Sequence, residues 1–148
     1  MDKVKIRTNH LVIFAFISFS VVLLNASFIS INEGLNMTYT GASHNLIPFE
    51  TIVTYLLNID HYPFAVWSSY IFGDILLFMP LGMLLPLLLS QVKQLRQVIM
   101  IAASLSLPIE IIQVLMGIGL FSVDQIILHI IGAMVGFLSI RIVKRIME

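Results

Sequence analysis

Hydrophobic residues dominate four runs of this chain, and short polar stretches separate them. The runs cover residues 11–31, 69–89, 97–118 and 124–145. Each run is long enough to cross the hydrocarbon core of a bilayer as an α-helix, which takes roughly 20 residues. The pattern therefore predicts an all-α fold, a polytopic membrane helix bundle with four transmembrane helices.

The stretch between the first two runs has a shorter helical pattern of its own. Pro48 suits the first position of a helix, because its missing N–H needs no partner there. Five apolar residues then share one face at helical spacing: Phe49, Ile52, Val53, Leu56 and Leu57. We expect a short interfacial helix in this loop, or a cap that packs over the bundle, since an apolar stripe alone does not identify its partner.

Composition indicates that residues 1–148 form a single membrane domain. Hydrophobic residues make up 59% of the chain and charged residues 11%, and the mean hydropathy is +1.01. Soluble domains have about 25% charged residues, so we expect a multi-pass protein of the cell membrane, surrounded by membrane lipids. The zero formal net charge gives no support to nucleic-acid binding, and the lack of cysteine excludes disulfides and thiolate chemistry.

The basic residues define the orientation expected for the four helices. All eight lie before the first run, between the second and third, or at the end of the fourth: Lys3, Lys5, Arg7, Lys93, Arg96, Arg141, Lys144 and Arg145. Because basic residues concentrate in cytoplasmic segments, the N- and C-termini and the 90–96 loop are predicted to be cytoplasmic. The loop between the first two helices then faces outward.

Five polar residues inside the apolar runs, or at their ends, form the candidate site. They are Asp74, Glu110, Gln113, Asp124 and His129. In the predicted topology all five fall in the outer half of the membrane, with Glu110 ~12 Å deep at 1.5 Å per residue. A charge near the membrane centre costs at least ~2.5 kcal/mol, so we expect Glu110 to be neutral or paired, with His129 as its one candidate cation.

Simpler structural roles are open for several of these residues. Gln113 fits an interhelical hydrogen bond, which is worth about 0.6 kcal/mol on average, and His129 fits this role as well as a functional one. Asp124 fits the N-cap of the fourth helix, where Asp is favoured. For Glu110 and Asp74 the acidic side chain favours a functional role.

Four further residues are expected to shape helix packing around the site. Pro80 and Pro108 should kink the second and third helices, because proline cannot donate the backbone hydrogen bond of a helix interior. Gly132 and Gly136 form a GxxxG pattern in the fourth run, which lets another helix approach closely.

Three motifs give the chain a family likeness. They are NLIPFETI at 45–52, GDILLFMPLG at 73–82, and a Glu-x-x-Gln formed by Glu110 and Gln113. On these motifs the chain resembles the VanZ-like family of small bacterial membrane proteins. In the family's last motif Asp124 and Gly132 remain, whereas the positions of an Arg, two Asp and an Asn are taken by Gly119, Ser122, Gln125 and His129.

The resemblance implies a cell-envelope protein linked to antibiotic resistance, because the name member of the family is associated with low-level resistance to the glycopeptide teicoplanin. A polar outer-leaflet pocket that engages a lipid-linked cell-wall component or a lipoglycopeptide would provide such a function without catalysis. No cofactor is implied.

Two other functions stay open. Glu110 or Asp74 could be the general acid or base of an intramembrane enzyme that acts on an envelope lipid or glycan. Every basic residue is predicted on the opposite side, where it cannot bind a phosphate substrate, so a non-enzymatic protein is favoured. The chain could also be a subunit of a proton-coupled transporter, which would need oligomerisation to form a pathway. The four histidines lack metal-ligand spacing, so no metal site is expected.

Overall fold

A computed structural model describes residues 2–29, 44–117 and 119–147 of the chain. These residues form five helices: α1 (Asp2–Ile29), α2 (Glu50–Leu57), α3 (Phe64–Leu88), α4 (Leu95–Leu115) and α5 (Val123–Met147). The described residues contain no β-strand, only one isolated bridge between Asn45 and Ser122. The all-α prediction is confirmed for this part of the chain.

Within the described residues, three helices are long and apolar enough to cross a membrane, namely α3, α4 and α5. In α1 the apolar segment Val12–Leu23 is shorter. The last two residues of the first predicted span, and residue 118 at the end of the third, lie outside the described residues. The structure therefore supports a helical membrane protein with three candidate spans and a shorter apolar helix.

The helix that contains the second predicted span starts earlier than its hydrophobic pattern predicts. Helix α3 begins at Phe64, after Pro63, rather than near residue 69. It continues through a π-helical segment, Ser69–Gly73, into a regular α-helix from Asp74 to Leu88. The aromatic and small residues before residue 69 interrupt the apolar run without interrupting the helix. The hydrophobic pattern therefore underestimated the length of α3.

Helices α3 and α5 touch backbone to backbone. A Cβ atom added to Gly132 would lie 2.2 Å from the carbonyl oxygen of Ile75, and one added to Gly136 would lie 1.9 Å from that of Met79. Both distances are far shorter than any real carbon–oxygen contact, so only glycine fits at these two positions. The GxxxG face of α5 thus packs directly on α3.

An apolar core fills the space between the helices on one side of the polar residues. It extends from Phe78, whose ring stacks on His129, to Val92 in the loop that follows α3. Its buried members are Phe78, Leu81, Leu85, Val92, Val98, Ala102, Ile109, Ala133 and Phe137. The prolines Pro80 and Pro108 lie inside α3 and α4, and both helices continue through them.

The two ends of the bundle differ in chemistry. At one end the Arg141 guanidinium donates a hydrogen bond of 2.9 Å to the carbonyl of Lys93, which joins the end of α5 to the loop between α3 and α4. At the other end the N–H of Asn45 donates to Phe121, and the N–H of Val123 donates back to Asn45, at 2.9 and 3.0 Å. The segment before α2 is therefore anchored on the start of α5, far from the basic end.

Helix α2 begins at Glu50, two residues later than Pro48 would suggest. Phe49 precedes it with a left-handed backbone (φ 69°), so Phe49 is not a helical residue and its predicted place on the helical face is wrong. No residue of α2 is buried, and Leu57 is 78% exposed. Val53, Leu56 and Leu57 are all exposed, so among the described residues α2 does not bury its apolar face against the bundle.

Candidate functional site

Asp124 joins the first turn of α2 to the first turn of α5. Its carboxylate accepts hydrogen bonds from the backbone N–H groups of Phe49, of Thr51 at 2.8 Å and of Ile52 at 3.1 Å. A helix leaves such N–H groups without internal partners at its start, and a negative charge is favourable there. The Asp124 side chain is 0% exposed. Asp124 therefore caps α2 and not its own helix, so the N-cap prediction is wrong.

The left-handed conformation of Phe49 is part of this junction. A bulky residue rarely adopts a positive φ, because such a conformation costs on the order of 1–3 kcal/mol and persists only where the surroundings hold it. Here the Phe49 N–H is held by the Asp124 carboxylate, and the next N–H, that of Glu50, donates to Ile47 at 3.3 Å. A side chain of α5, that of Asp124, thus holds the turn between the NLIPF stretch and α2.

Glu110 lies in the middle of a polar connection between three helices. Its side chain is 1% exposed, and its Oε2 atom accepts a 3.1 Å hydrogen bond from the backbone N–H of Ser122. The Ser122 hydroxyl in turn lies 3.2 Å from the Tyr70 hydroxyl and accepts a longer bond, 3.4 Å, from the N–H of Gln125. Residues of α3, α4 and the start of α5 are therefore joined through Ser122.

His129 forms a second buried connection. Its Nδ1 atom lies 2.6 Å from the Ser106 hydroxyl, and its Nε2 atom lies 3.8 Å from an oxygen of Asp74. The ring stacks on Phe78, with 4.0 Å between the centroids. The contact with Asp74 is too long for a direct hydrogen bond. The imidazole therefore meets Ser106 and Asp74, and the pairing with Glu110 expected from the sequence is replaced by these contacts.

Three buried oxygen atoms have no hydrogen-bond partner among the described residues. They are Oδ1 of Asn45, Oδ2 of Asp74 and Oε1 of Glu110. A buried polar atom without a partner costs about 1–3 kcal/mol, so each of these atoms favours a donor beyond those that the described residues supply. Asp74 and Glu110 also lie within electrostatic range of each other. The site is acceptor-rich and suited to a ligand or water that donates hydrogen bonds.

The structure brings three of the five predicted site residues into these two connections, namely Asp74, Glu110 and His129. Asp124 lies in the junction of α2 and α5. Gln113 is half-buried and lies against Gly119 in the turn between α4 and α5. Gly132 and Gly136 line the contact between α3 and α5, one turn and two turns beyond the site. Pro108 precedes Glu110 in α4 on an exposed part of the helix, and Pro80 is partly buried in α3.

Three site residues were not singled out by the sequence as site members. Ser106 and Ser122 are small polar residues without a distinctive pattern, and only their burial, 0% and 7% exposed, reveals their role. Tyr70 is an aromatic residue in a mostly apolar helix, and its hydroxyl reaches Ser122. It lies in the π-helical segment of α3, a rare geometry that is frequent at functional sites.

An open cavity of about 260 Å³ lies beside the junction of α2 and α5. Its lining residues are mostly polar: His44, Asn45, Glu50, Thr51, Thr54, Tyr55 and Tyr62. The rings of Tyr55 and Tyr62 meet edge to face at 4.9 Å. Partial burial, and secondarily the neighbouring Tyr62, raises the pKa of Tyr55, so its hydroxyl stays protonated at neutral pH.

The cavity and the buried connections share a wall. The Asn45 amide donates to the Thr51 hydroxyl at 2.7 Å, and the Thr51 N–H donates to Asp124. Asn45 also pairs through its backbone with the segment around Ser122, which holds Glu110. Among the described residues, no group of three or more His, Cys, Asp or Glu side chains is placed to hold a metal ion.

The helices and this polar network define a small helical membrane protein with buried acidic residues at one end of its bundle. A comparison with known protein families agrees with this class of protein and identifies the family. The model of the VanZ/LLP1 family matches residues 11–144, which is nearly the whole chain, and the chain belongs to that family. The resemblance seen in the three motifs is thereby confirmed. No curated protein and no solved structure matches the chain.

Proposed function

We propose that this VanZ/LLP1 protein is a four-span protein of the bacterial cell membrane that contributes to teicoplanin-type glycopeptide resistance without catalysis. Its ligand site is the polar cavity beside α2, which opens at the outward end of the bundle. The observation that carries the proposal is the separation of charge along the bundle: basic residues at one end, and the acidic network with its cavity at the other.

The orientation in this proposal follows from that separation. Arg141 contacts the loop that holds Lys93, so the basic residues at the end of α5 and those before α4 lie together. Basic residues collect on the cytoplasmic side of membrane proteins, which directs the cavity outward. Both termini are then cytoplasmic, provided that α1 also spans the membrane, and α2 lies in the outer interface with its apolar side chains toward lipid.

The cavity has the chemistry of a site for a sugar or a peptide. Its wall offers the Glu50 carboxylate as an acceptor, together with hydroxyls and two aromatic rings. Sugars and peptides carry O–H and N–H donors that suit such acceptors, and a lipid-anchored ligand would keep its tail in the outer leaflet. A lipid-linked cell-wall component and a lipoglycopeptide both fit this description.

Antibiotic susceptibility tests the proposal. The chain and two matched variants are expressed at equal levels in a sensitive Gram-positive host, and teicoplanin is compared with vancomycin. Glu50→Gln removes a carboxylate that lines the cavity, whereas Asp60→Asn removes an exposed carboxylate of the same loop that does not. We expect protection against teicoplanin alone, retained by Asp60→Asn and reduced by Glu50→Gln. Equal protection by all three proteins would refute the cavity as the ligand site.

An intramembrane enzyme is the second candidate. In space the Ser106 hydroxyl lies next to His129, and His129 lies next to Asp74, which is the order of a nucleophile, a base and the acid that orients the base. Against it, the Ser106 hydroxyl belongs to a residue that is 0% exposed. Glu110→Gln and Ser106→Ala separate the two functions in the same assay. If the protein is an enzyme, Glu110→Gln or Ser106→Ala abolishes protection and Glu50→Gln preserves it. If the protein only binds its ligand, Glu50→Gln reduces protection and the other two variants preserve it.

A further inference from the structure

A second open cavity, of about 300 Å³, lies at the opposite end of the bundle, on the last turns of α5. Four residues line it: Leu138, Arg141, Ile142 and Arg145. Two guanidinium groups and two aliphatic side chains thus alternate along one groove. This basic groove is separate from the acidic network and takes no part in the function proposed above.

Arg141 is held in a defined position within the groove. Its Nη2 atom donates a 2.9 Å hydrogen bond to the Lys93 carbonyl, and its guanidinium carbon lies 5.0 Å from the centre of the Phe137 ring. A guanidinium carries five N–H donors in a fixed fork, of which the bond to Lys93 uses one. Because the side chain is already ordered, an anion that binds it has less conformational entropy to overcome.

The apolar half of the groove sets the kind of anion. Leu138 and Ile142 lie one helical turn apart, and Ile142 is 60% exposed. They belong to a helix long and apolar enough to cross a membrane, at the end where its basic residues gather. A ligand with one phosphate and one hydrocarbon chain would contact both halves, whereas a free phosphate would leave the aliphatic side chains uncovered.

We propose that the basic groove binds an anionic phospholipid, with the phosphate between Arg141 and Arg145 and an acyl chain along Leu138 and Ile142. Arginine binds phosphate through two parallel hydrogen bonds, and each basic residue near an anionic membrane surface adds about 1 kcal/mol of attraction. The groove therefore selects lipids with a net negative headgroup over zwitterionic ones.

The test uses the purified full-length chain in a neutral detergent and native mass spectrometry. Phosphatidylglycerol and phosphatidylcholine are added separately at equal concentration, and the fraction of protein that retains lipid is measured. Arg145→Gln is compared with Lys144→Gln, since Lys144 is adjacent and basic but does not line the groove. We expect phosphatidylglycerol to be retained in preference, with about a fivefold loss for Arg145→Gln and little change for Lys144→Gln.

Two results would overturn the proposal. Equal retention of the two lipids would show that the groove has no preference for an anionic headgroup. Equal losses for Arg145→Gln and Lys144→Gln would show that only the total charge of this end matters. As a further arm, excess inorganic phosphate is added to the complex. If it displaces the lipid completely, the site is one for free phosphate, and if the lipid is retained, the acyl chain contributes as proposed.

Discussion

Asp124 is a buried carboxylate whose charge is satisfied by backbone amides and not by a cation. It accepts three N–H groups at the start of α2 and is itself part of the first turn of α5. Hydrogen bonds to a charged group contribute about 1.5–3 kcal/mol each. This residue therefore fixes the position of α2, and with it one wall of the polar cavity.

We predict that Asp124→Ala destabilises the protein by roughly 2–4 kcal/mol, because three N–H groups lose their acceptor. This is less than the sum of three such bonds, since no residue of α2 is buried and water can solvate the freed N–H groups. Asp124→Asn retains one side-chain oxygen and should lose about half as much. The midpoint of thermal unfolding of the purified variants measures both effects, and limited proteolysis near Asn58 reports whether α2 detaches. An Asp124→Ala protein as stable as the unaltered chain, with α2 still protected, would contradict the role assigned to this carboxylate.

The sequence could single out a site residue only where burying its side chain in an apolar helix costs free energy. Glu110 and Asp74 stand out because an acidic residue in an apolar helix needs compensation. Their contacts could not be predicted. The Ser122 N–H that donates to Glu110 carries no distinctive pattern, and the sequence offered His129 to Glu110 and not to Asp74. The role of Asp124 was missed for the same reason: its partners lie more than 70 residues away along the chain.

The contact between α3 and α5 is the element that positions both buried connections. It brings Asp74 on one helix within 3.8 Å of His129 on the other, and its closest approaches occur at three glycines: Gly82, Gly132 and Gly136. The GxxxG pattern was sufficient to predict a close approach by another helix, because only small residues allow it. The π-helical segment of α3 was not predictable, since no residue type specifies that geometry.

We predict that Gly136→Ala destabilises the bundle by roughly 1–3 kcal/mol, because the added methyl group would overlap the Met79 carbonyl. Gly73→Ala is the matched control. Gly73 also lies in a helix, but a Cβ atom there meets nothing within 4 Å, so this variant should be neutral or slightly stabilised. Thermal unfolding in detergent compares the two. Equal effects of the two substitutions would contradict backbone contact between α3 and α5.

The proposed function of the whole molecule requires the acidic end of the bundle to face outward. Apolar runs and the positions of basic residues predict a helical membrane protein and its orientation, and the structure adds that Arg141 and Lys93 meet at one end. The exact helix ends were less predictable, as α3 shows, because helix geometry continues through aromatic and polar residues that hydropathy scores as loop. In this orientation the N-terminus is cytoplasmic if α1 completes a fourth span.

Cysteine accessibility tests the orientation of the bundle directly, since the chain contains no cysteine. Single substitutions are placed before the first apolar run (Thr8→Cys), after α2 (Asp60→Cys), between α3 and α4 (Ser90→Cys) and near the end of α5 (Lys144→Cys). A membrane-impermeant maleimide is then applied to intact cells. The account predicts labelling of Asp60→Cys alone, with the other three labelled only after the cells are permeabilised. Labelling of Ser90→Cys but not Asp60→Cys in intact cells would invert the bundle, turn the acidic network toward the cytoplasm and contradict the proposed function.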